Sequence, residues 1–240
     1  MEKVLVVAFR PGDAPTLDPT EILRLDERLL RDLDATRYPG VSLQVSDDEA
    51  TAQWRRGGRP GARQVAAVLA LWTESGDDVG AVTRIVGDVW PDHAVSVVTE
   101  TVPRWRTDRA TSAVEPQPGV IVTSLLHRAP AMTRDEFVGH WRDVHQPMSL
   151  RIHPQHTYVR NVVARVLVPA SPQFDAVCEE GFASVDDVLD RSRFFGADVA
   201  TATWQENATT IGDDIPRFLD TGRTVAIIMR EHRLRDFRRP

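Results

Sequence analysis

Ala67-Val68-Leu69-Ala70-Leu71-Trp72-Thr73-Glu74-Ser75-Gly76-Asp77-Asp78-Val79 reads as an apolar strand running into the start of a helix. At an offset of 109 residues stands Ala176-Val177-Cys178-Glu179-Glu180-Gly181-Phe182-Ala183-Ser184-Val185-Asp186-Asp187-Val188, with Ala, Val, Ser, Asp, Asp and Val identical at six of the 13 positions. Agreement of this kind across a strand-to-helix junction reads as an internal duplication. Glu100 and Glu231 correspond at an offset of 131, so the second copy carries about 22 additional residues, within Gly196–Leu219.

Outward from that junction, both copies spell the same order of elements. In the first, Val4–Arg10 is a strand. Asp18-Pro19-Thr20 opens a helix, with proline in the first turn, where its missing N–H costs least. Ile22, Leu25, Leu29 and Leu33 recur on that helix at helical spacing. Val41–Val45 is a strand, Arg55–Gly61 a Gly/Pro/Arg loop, and Val65–Thr73 a strand. A helix is expected from Asp77-Asp78, whose acid suits the dipole, with Val79, Val82, Val86 and Val89 inward. Val95–Val102 closes the copy. Thr107–Pro118 lacks periodicity and reads as a linker.

The second copy begins with the strand Gly119–His127. Thr133 and Glu136 form a capping box for a helix that presents Phe137, Trp141, Val144 and Met148 on one face, and Pro147 is expected to end it. Thr157–Val168 and Phe174–Phe182 are strands, Ser184–Phe195 a helix, and Thr224–His232 the last strand. Each β-α-β-β-α-β unit implies a four-stranded antiparallel sheet with both helices on one face, a ferredoxin-like arrangement. Strands such as Val65–Leu71 and Val162–Val168 are apolar on both sides, so the other face must be covered as well. The fold class expected is α+β: ferredoxin-like units at 1–106 and 119–240, their sheets facing each other around a small cavity that would hold a ligand.

Composition narrows the partners. Of 240 residues, 42% are hydrophobic and 27% charged, within the globular range. The net charge of −6 argues against sequence-independent nucleic-acid binding, which needs a basic footprint. The one cysteine, Cys178, precludes an internal disulfide framework and fits a reducing cytoplasm, the expected location. Met1–Arg10 holds too short an apolar run for a secretion signal, and no run approaches a membrane span. Neither a membrane nor nucleic acid is expected as partner.

Four stretches carry a resemblance to the EthD family of the dimeric α+β-barrel superfamily, over about 119–232. Phe137-Val138-Gly139-His140-Trp141-Arg142-Asp143-Val144-His145-Gln146-Pro147 is similar to the family's helix with its Trp and His-x-Pro. Tyr158-Val159-Arg160-Asn161 resembles its Y-V-x-N strand, and Phe174–Phe182 its Y-D-G-V-A-E-x-W-F strand. Asp213–Asp220 followed by Val225–Glu231 resembles its acidic segment and final strand. Ala176 and Gly181 depart from the family's glycine and tryptophan, which implies a reshaped cavity wall. The first half lacks the His-x-Pro motif. The resemblance implies a single-chain dimeric α+β barrel that needs no cofactor and acts on a small molecule, and it is compatible with a homodimer. Relatives include polyketide cyclases, dehydratases and decarboxylases, lactone isomerases and cofactor-independent monooxygenases.

Six of the seven histidines lie in the second half. With Phe137 at zero on a helical wheel, Trp141 falls at about 40° and His145 at about 80°, so His145 borders the buried face. Histidine changes charge nearest neutrality and suits general acid–base work. His140 lies on the opposite flank and reads as structural. His153 and His156 have a His-x-x-His spacing, but no third ligand is evident and no metal is expected. Asp175 and Glu179 share one strand face; facing a lumen, Glu179 would be an acid–base partner to His145. Trp141, Tyr158, Asn161 and Asp175 complete the candidate set as substrate contacts, and Tyr158 and Asn161 have opposite parity. Cys178 reads as an inert core thiol, and Phe194, Phe195 and Trp204 as core or cavity lining. The leading expectation is a cofactor-free enzyme of lyase or isomerase type. It would move a proton with His145 to cyclise, dehydrate, decarboxylate or isomerise a small hydrophobic oxygenated compound, phenolic or polyketide-like. The alternatives are a cofactor-independent monooxygenase and a non-catalytic ligand-binding protein.

Overall fold

The apolar, β-branched runs form eight strands: β1 (Glu2–Pro11), β2 (Gly40–Ser46), β3 (Arg63–Thr73), β4 (His93–Arg104), β5 (Val120–Leu126), β6 (Thr157–Val168), β7 (Ala176–Phe182) and β8 (Val225–Arg235). The computed structural model describes residues 1–12, 14–54, 63–105, 116–170, 173–196 and 202–236, so the expected loop at 55–61 and residues 107–115 of the expected linker lie outside the described residues. All strand neighbours are antiparallel, and they close into one barrel in the order β1-β3-β2-β8-β5-β7-β6-β4. Within the first half the order is β4-β1-β3-β2, and within the second β8-β5-β7-β6, the same local sequence of first, second, third and fourth strands. The expected barrel is present, and its two facing sheets are continuous. Their edges are joined, β2 to β8 from Val41↔Arg235 to Ser46↔Met229, and β4 to β6 from Val95↔Val168 to Arg104↔Tyr158. Closure leaves no strand edge unpaired.

Alternation along each strand divides the core into an inside and an outside. Leu5, Val7, Phe9, Val68, Val177 and Met229 point inward and pack together. Outward, the first half buries Val4, Val6, Leu69 and Leu71 under Leu25, Leu29 and Leu33 of α1 (Pro19–Asp32) and Val82, Ile85 and Val86 of α3 (Gly80–Gly87). The α1 start follows the sequence, with Asp18 and Glu21 forming a capping box. Helix α3 begins at Gly80, three residues past Asp77, and has no side-chain cap. A short helix, α2 (Asp48–Trp54), follows β2 where no helix was expected.

The second half covers its sheet with more helix. After the Thr133–Glu136 capping box comes α4 (Arg134–His140), then a π turn (Trp141–His145) and α5 (Gln146–Ile152). Pro147 therefore does not end the helix. The Gln146 N–H bonds to the Trp141 carbonyl, the wider i→i+5 closure, and Pro147 falls in the first turn of α5, where it needs no N–H donor. The expected helix at 184–195 breaks into α6 (Asp186–Leu189) and α7 (Arg191–Phe194) because the Asp190 side chain accepts from the Ser192 and Arg193 N–H groups and caps a new start. The additional residues of the second half contain α8 (Trp204–Phe218), opened by a third capping box, Thr203 with Glu206. Among the described residues no helix is long and apolar enough to cross a membrane.

Gly119, entering β5, has φ +90°, and a Cβ there would stand 2.1 Å from the Phe182 carbonyl oxygen. Gly139, in α4, would place its Cβ in open space. Gly119→Ala should cost about 2 kcal/mol or more, whereas Gly139→Ala should add about 0.5–1 kcal/mol. Urea unfolding of the two variants beside the parent checks both signs.

Candidate active site

Between the outer face of the second-half sheet and its helices lies a cavity of about 440 Å³. Alternation sets which residues reach it: Cys178 and Glu180 of β7 and Tyr158 of β6 face outward into it, while Val177, Glu179 and Asn161 face the barrel interior. Trp141 and His145 reach it from the π turn, His153 from the end of α5, and Phe194, Phe195 and Phe218 from α7 and α8. Gln53 and Trp54 of α2 reach it from the first half.

Of the six expected site residues, His145, Trp141 and Tyr158 line this cavity, and three do not. Glu179 is inside the barrel. Its carboxylate accepts from Lys3 Nζ (3.3 Å), Gln44 Nε2 (3.1 Å) and Asn161 Nδ2 (2.8 Å). It is a structural counter-charge, too well partnered and on the wrong face to serve His145. Asn161 is fully buried in the same network, donating also to the Val177 carbonyl. Asp175 accepts from the Arg128 backbone N–H (3.0 Å) and pairs with its guanidinium (3.4 Å), fixing the turn after β5. The ligand cavity expected between the two sheets is absent for the same reason: apolar side chains and this polar cluster fill the interior. Neither Ala176 nor Gly181 lines this cavity. Ala176 is buried beside Phe137 and Trp141, and a Cβ on Gly181 would meet the His156 ring.

At His145 the site gains a partner that sequence reading missed. His145 Nδ1 lies 2.9 Å from Asp214 Oδ2, and His140 Nε2 lies 2.8 Å from Asp214 Oδ1. Burial works against the Asp214 charge, but the hydrogen bonds from His145 and His140 prevail and hold the carboxyl below the usual carboxylate range. An ionised carboxylate only accepts, so both imidazoles donate to it. Nδ1 of His145 thus carries the proton, and Nε2 is left as a base. On a regular α-helix residues five apart diverge by about 140°. The π turn removes most of that divergence, so His140 and His145 both reach one carboxylate and both stack on Phe218, at 5.0 and 4.9 Å. His140, read from sequence as structural, is the second arm of this cluster.

The rest of the wall is polar at one end. Ser149 Oγ donates to Glu180 Oε1 (2.9 Å), and Gln155 Nε2 donates to the Ser149 carbonyl (3.0 Å). Trp141 Nε1 donates to the Tyr158 hydroxyl (2.8 Å). Burial pushes both the Tyr158 hydroxyl and the Cys178 thiol well up, so both stay protonated near neutrality. His153 Nδ1 donates to the Phe194 carbonyl (2.7 Å), and burial lowers its pKa. His156, its partner in the His-x-x-His spacing, instead bonds Thr157 Oγ1 (3.0 Å) away from the cavity.

Asp214 had a legible signal. Asn207, Ile211, Asp214 and Phe218 recur at spacings of four, three and four behind the Thr203–Glu206 capping box, placing one acid in an otherwise buried stripe. Glu180 was visible too, one position from the residue chosen, and only the assignment of strand face separated them.

A family model described as the EthD domain matches residues 129–222, which span the π turn, His145, Glu180 and Asp214. No curated protein sequence matches the chain. Among solved structures, an anthrone oxidase-like protein is similar at 9% identity and a TM-score of 0.58, covering 98% of this chain and 94% of that one. A candidate monooxygenase from Fusobacterium nucleatum subsp. nucleatum aligns at 8% identity and a TM-score of 0.51, covering 96% and 92%. Likeness at this level shows the fold, a dimeric α+β barrel.

The buried His153 makes stability pH-dependent. Its folded pKa lies below the ordinary histidine value, so the unfolded chain binds the proton more readily. Nothing is lost above pH ~6.5, and stability declines as the pH falls below it. His127, lowered mainly by burial, adds in the same direction. Asp214 contributes stability that is present above about pH 4 and lost below it. The urea midpoint should therefore fall between pH 7.5 and 5. His153→Asn, which keeps a donor for the Phe194 carbonyl, should flatten that decline.

Proposed function

With residues 129–222 forming an EthD domain on a dimeric α+β-barrel fold, we propose that the protein is an enzyme that moves a proton within a small hydrophobic oxygenated substrate, phenolic or polyketide-like, and that it does so without a cofactor. The observation that carries this reading is the Asp214–His145 pair on the wall of a partly open cavity that Trp141, Tyr158, Phe194, Phe195 and Phe218 also line. His145 Nε2 takes a proton from an acidic carbon next to a carbonyl, leaving an enolate and an imidazolium. Asp214, 2.9 Å from Nδ1, steadies that imidazolium and fixes the ring. The imidazolium then returns the proton to another carbon, which isomerises the substrate, or to a departing hydroxyl, which dehydrates it. In cyclisation the enolate carbon bonds to a second carbonyl, whose oxygen takes the proton back from the imidazolium; in decarboxylation the loss of CO₂ from a β-keto carboxylate itself leaves the enolate, and His145, entering as the imidazolium, protonates it. Trp141, held by its bond to Tyr158, would flank the substrate ring. The same proposal takes the chain as a tandem duplication of units 1–106 and 119–240, supported by the shared local strand order.

A panel of phenolic ketones and β-dicarbonyl aromatics in D₂O, followed by proton NMR, tests the chemistry. Deuterium uptake or turnover of a bound compound is expected. His145→Ala should lower it about 10²–10⁴-fold, and Asp214→Asn by a similar factor through the wrong tautomer, both with the fold intact by circular dichroism. Unchanged rates in both variants would reject the proposal.

A further inference from the structure

The cavity holds a second polar cluster that the proton-transfer chemistry leaves unused, at the end formed by α5 and β7. Its members are His153 and Glu180. Ser149 and His153 lie four apart, the His153 N–H closing on the Ser149 carbonyl, so they share a helix face. Ser149 in turn donates to Glu180 Oε1. The same helix end therefore places His153 beside Glu180, and the Glu180 charge acts on the His153 ring.

Both groups are acceptors toward the cavity. The Phe194 carbonyl can only accept, so His153 Nδ1 carries the ring proton and the other nitrogen, Nε2, offers a lone pair. Among the described residues no protein group bonds His153 Nε2 or Glu180 Oε2. The nearby Tyr158 hydroxyl accepts from Trp141 Nε1 (2.8 Å). Other donors on the lining include Gln53 and Trp54 of α2, Ser124 of β5, Thr224 ahead of β8, and Arg191, exposed at the rim and stacked on Phe195.

We infer that His153 and Glu180 form the recognition end of the site and select a neutral aromatic substrate carrying two hydroxyl donors over its ethers and over carboxylic acids. One hydroxyl donates to His153 Nε2 and the other to Glu180 Oε2, while a carboxylate placed there would meet a lone pair and a like charge. Phe194 and Phe195 flank the ring. The inference rests on the proposed function only in taking this cavity as the substrate site, and it adds the substrate class.

Calorimetric titration of the full chain with 1,3-dihydroxynaphthalene, 1,3-dimethoxynaphthalene and 2-naphthoate tests it. The diol should bind about tenfold or more tighter than the dimethyl ether, as expected for hydrogen bonds to a buried acceptor and a charge, and the naphthoate should bind more weakly than either. His153→Phe and Glu180→Leu should each remove most of the diol's advantage while leaving the ether's affinity within about threefold, which also reports that the cavity has kept its shape. Equal binding of diol and ether by the parent overturns the inference and leaves the proposed function standing. Failure of all three arenes to bind overturns both.

Discussion

Barrel closure governs where everything else can go. A four-stranded ferredoxin-like sheet has two edges, and here the β2–β8 and β4–β6 pairings consume all four edges of the two sheets. An eight-stranded barrel has an interior only wide enough for side chains. Leu5, Val7, Phe9, Val68 and Met229 fill one part, and Lys3, Gln44, Thr123, Asn161 and Glu179 the other. Lys3, the chain's only lysine, lies 2.9 Å from Glu100 and 3.3 Å from Glu179, with its ammonium 4.9 Å from the Trp72 ring centre. A charge so buried persists only with partners of this kind. With the interior spoken for, a ligand site has to form outside it, between sheet and helices.

That outer layer differs between the halves, and the difference decides which half carries the site. Leu69 and Leu71 stand in the first half where Cys178 and Glu180 stand in the second, and α1 presses Leu25, Leu29 and Leu33 onto them. The second half has polar groups at the matching positions, which cannot be covered by leucine without losing their hydrogen bonds. The additional residues supply α8, which stands off the sheet and brings Asp214 to the π turn. Two halves of the same local strand order thus differ in their outer layer: one is sealed by leucine, and the other is opened by the added helix α8.

Strand and helix positions were largely legible because their signals are local. The apolar, β-rich runs marked all eight strands to within a few residues, and Asp18-Pro19-Thr20 and the Thr133–Glu136 capping box placed two helix starts. Pro147 misled, because a proline after a π turn looks the same in sequence as one that ends a helix. The site was half legible. His145, Trp141 and Tyr158 came from motif and wheel, but Glu179 was preferred to Glu180. In a sheet buried on both faces, parity separates two sets of residues without saying which faces the helices. Only tertiary packing chooses, and it put the better-partnered carboxylate inside.

The π turn joins these strands of argument. Held as a plain α-helix, the segment could aim His140 or His145 at α8, not both. One extra residue in the turn aligns them, and Asp214 then has a donor for each oxygen. A buried carboxylate with both oxygens satisfied stays ionised and fixed, which in turn fixes the His145 tautomer. The irregular turn is therefore maintained by the contact it permits: remove Asp214 and two imidazoles lose their acceptor, remove the turn and one of them loses its reach. A site assembled this way holds the His145 ring from the side of α8, and among the described residues no hydrogen bond to its Nε2 is needed to keep it in place.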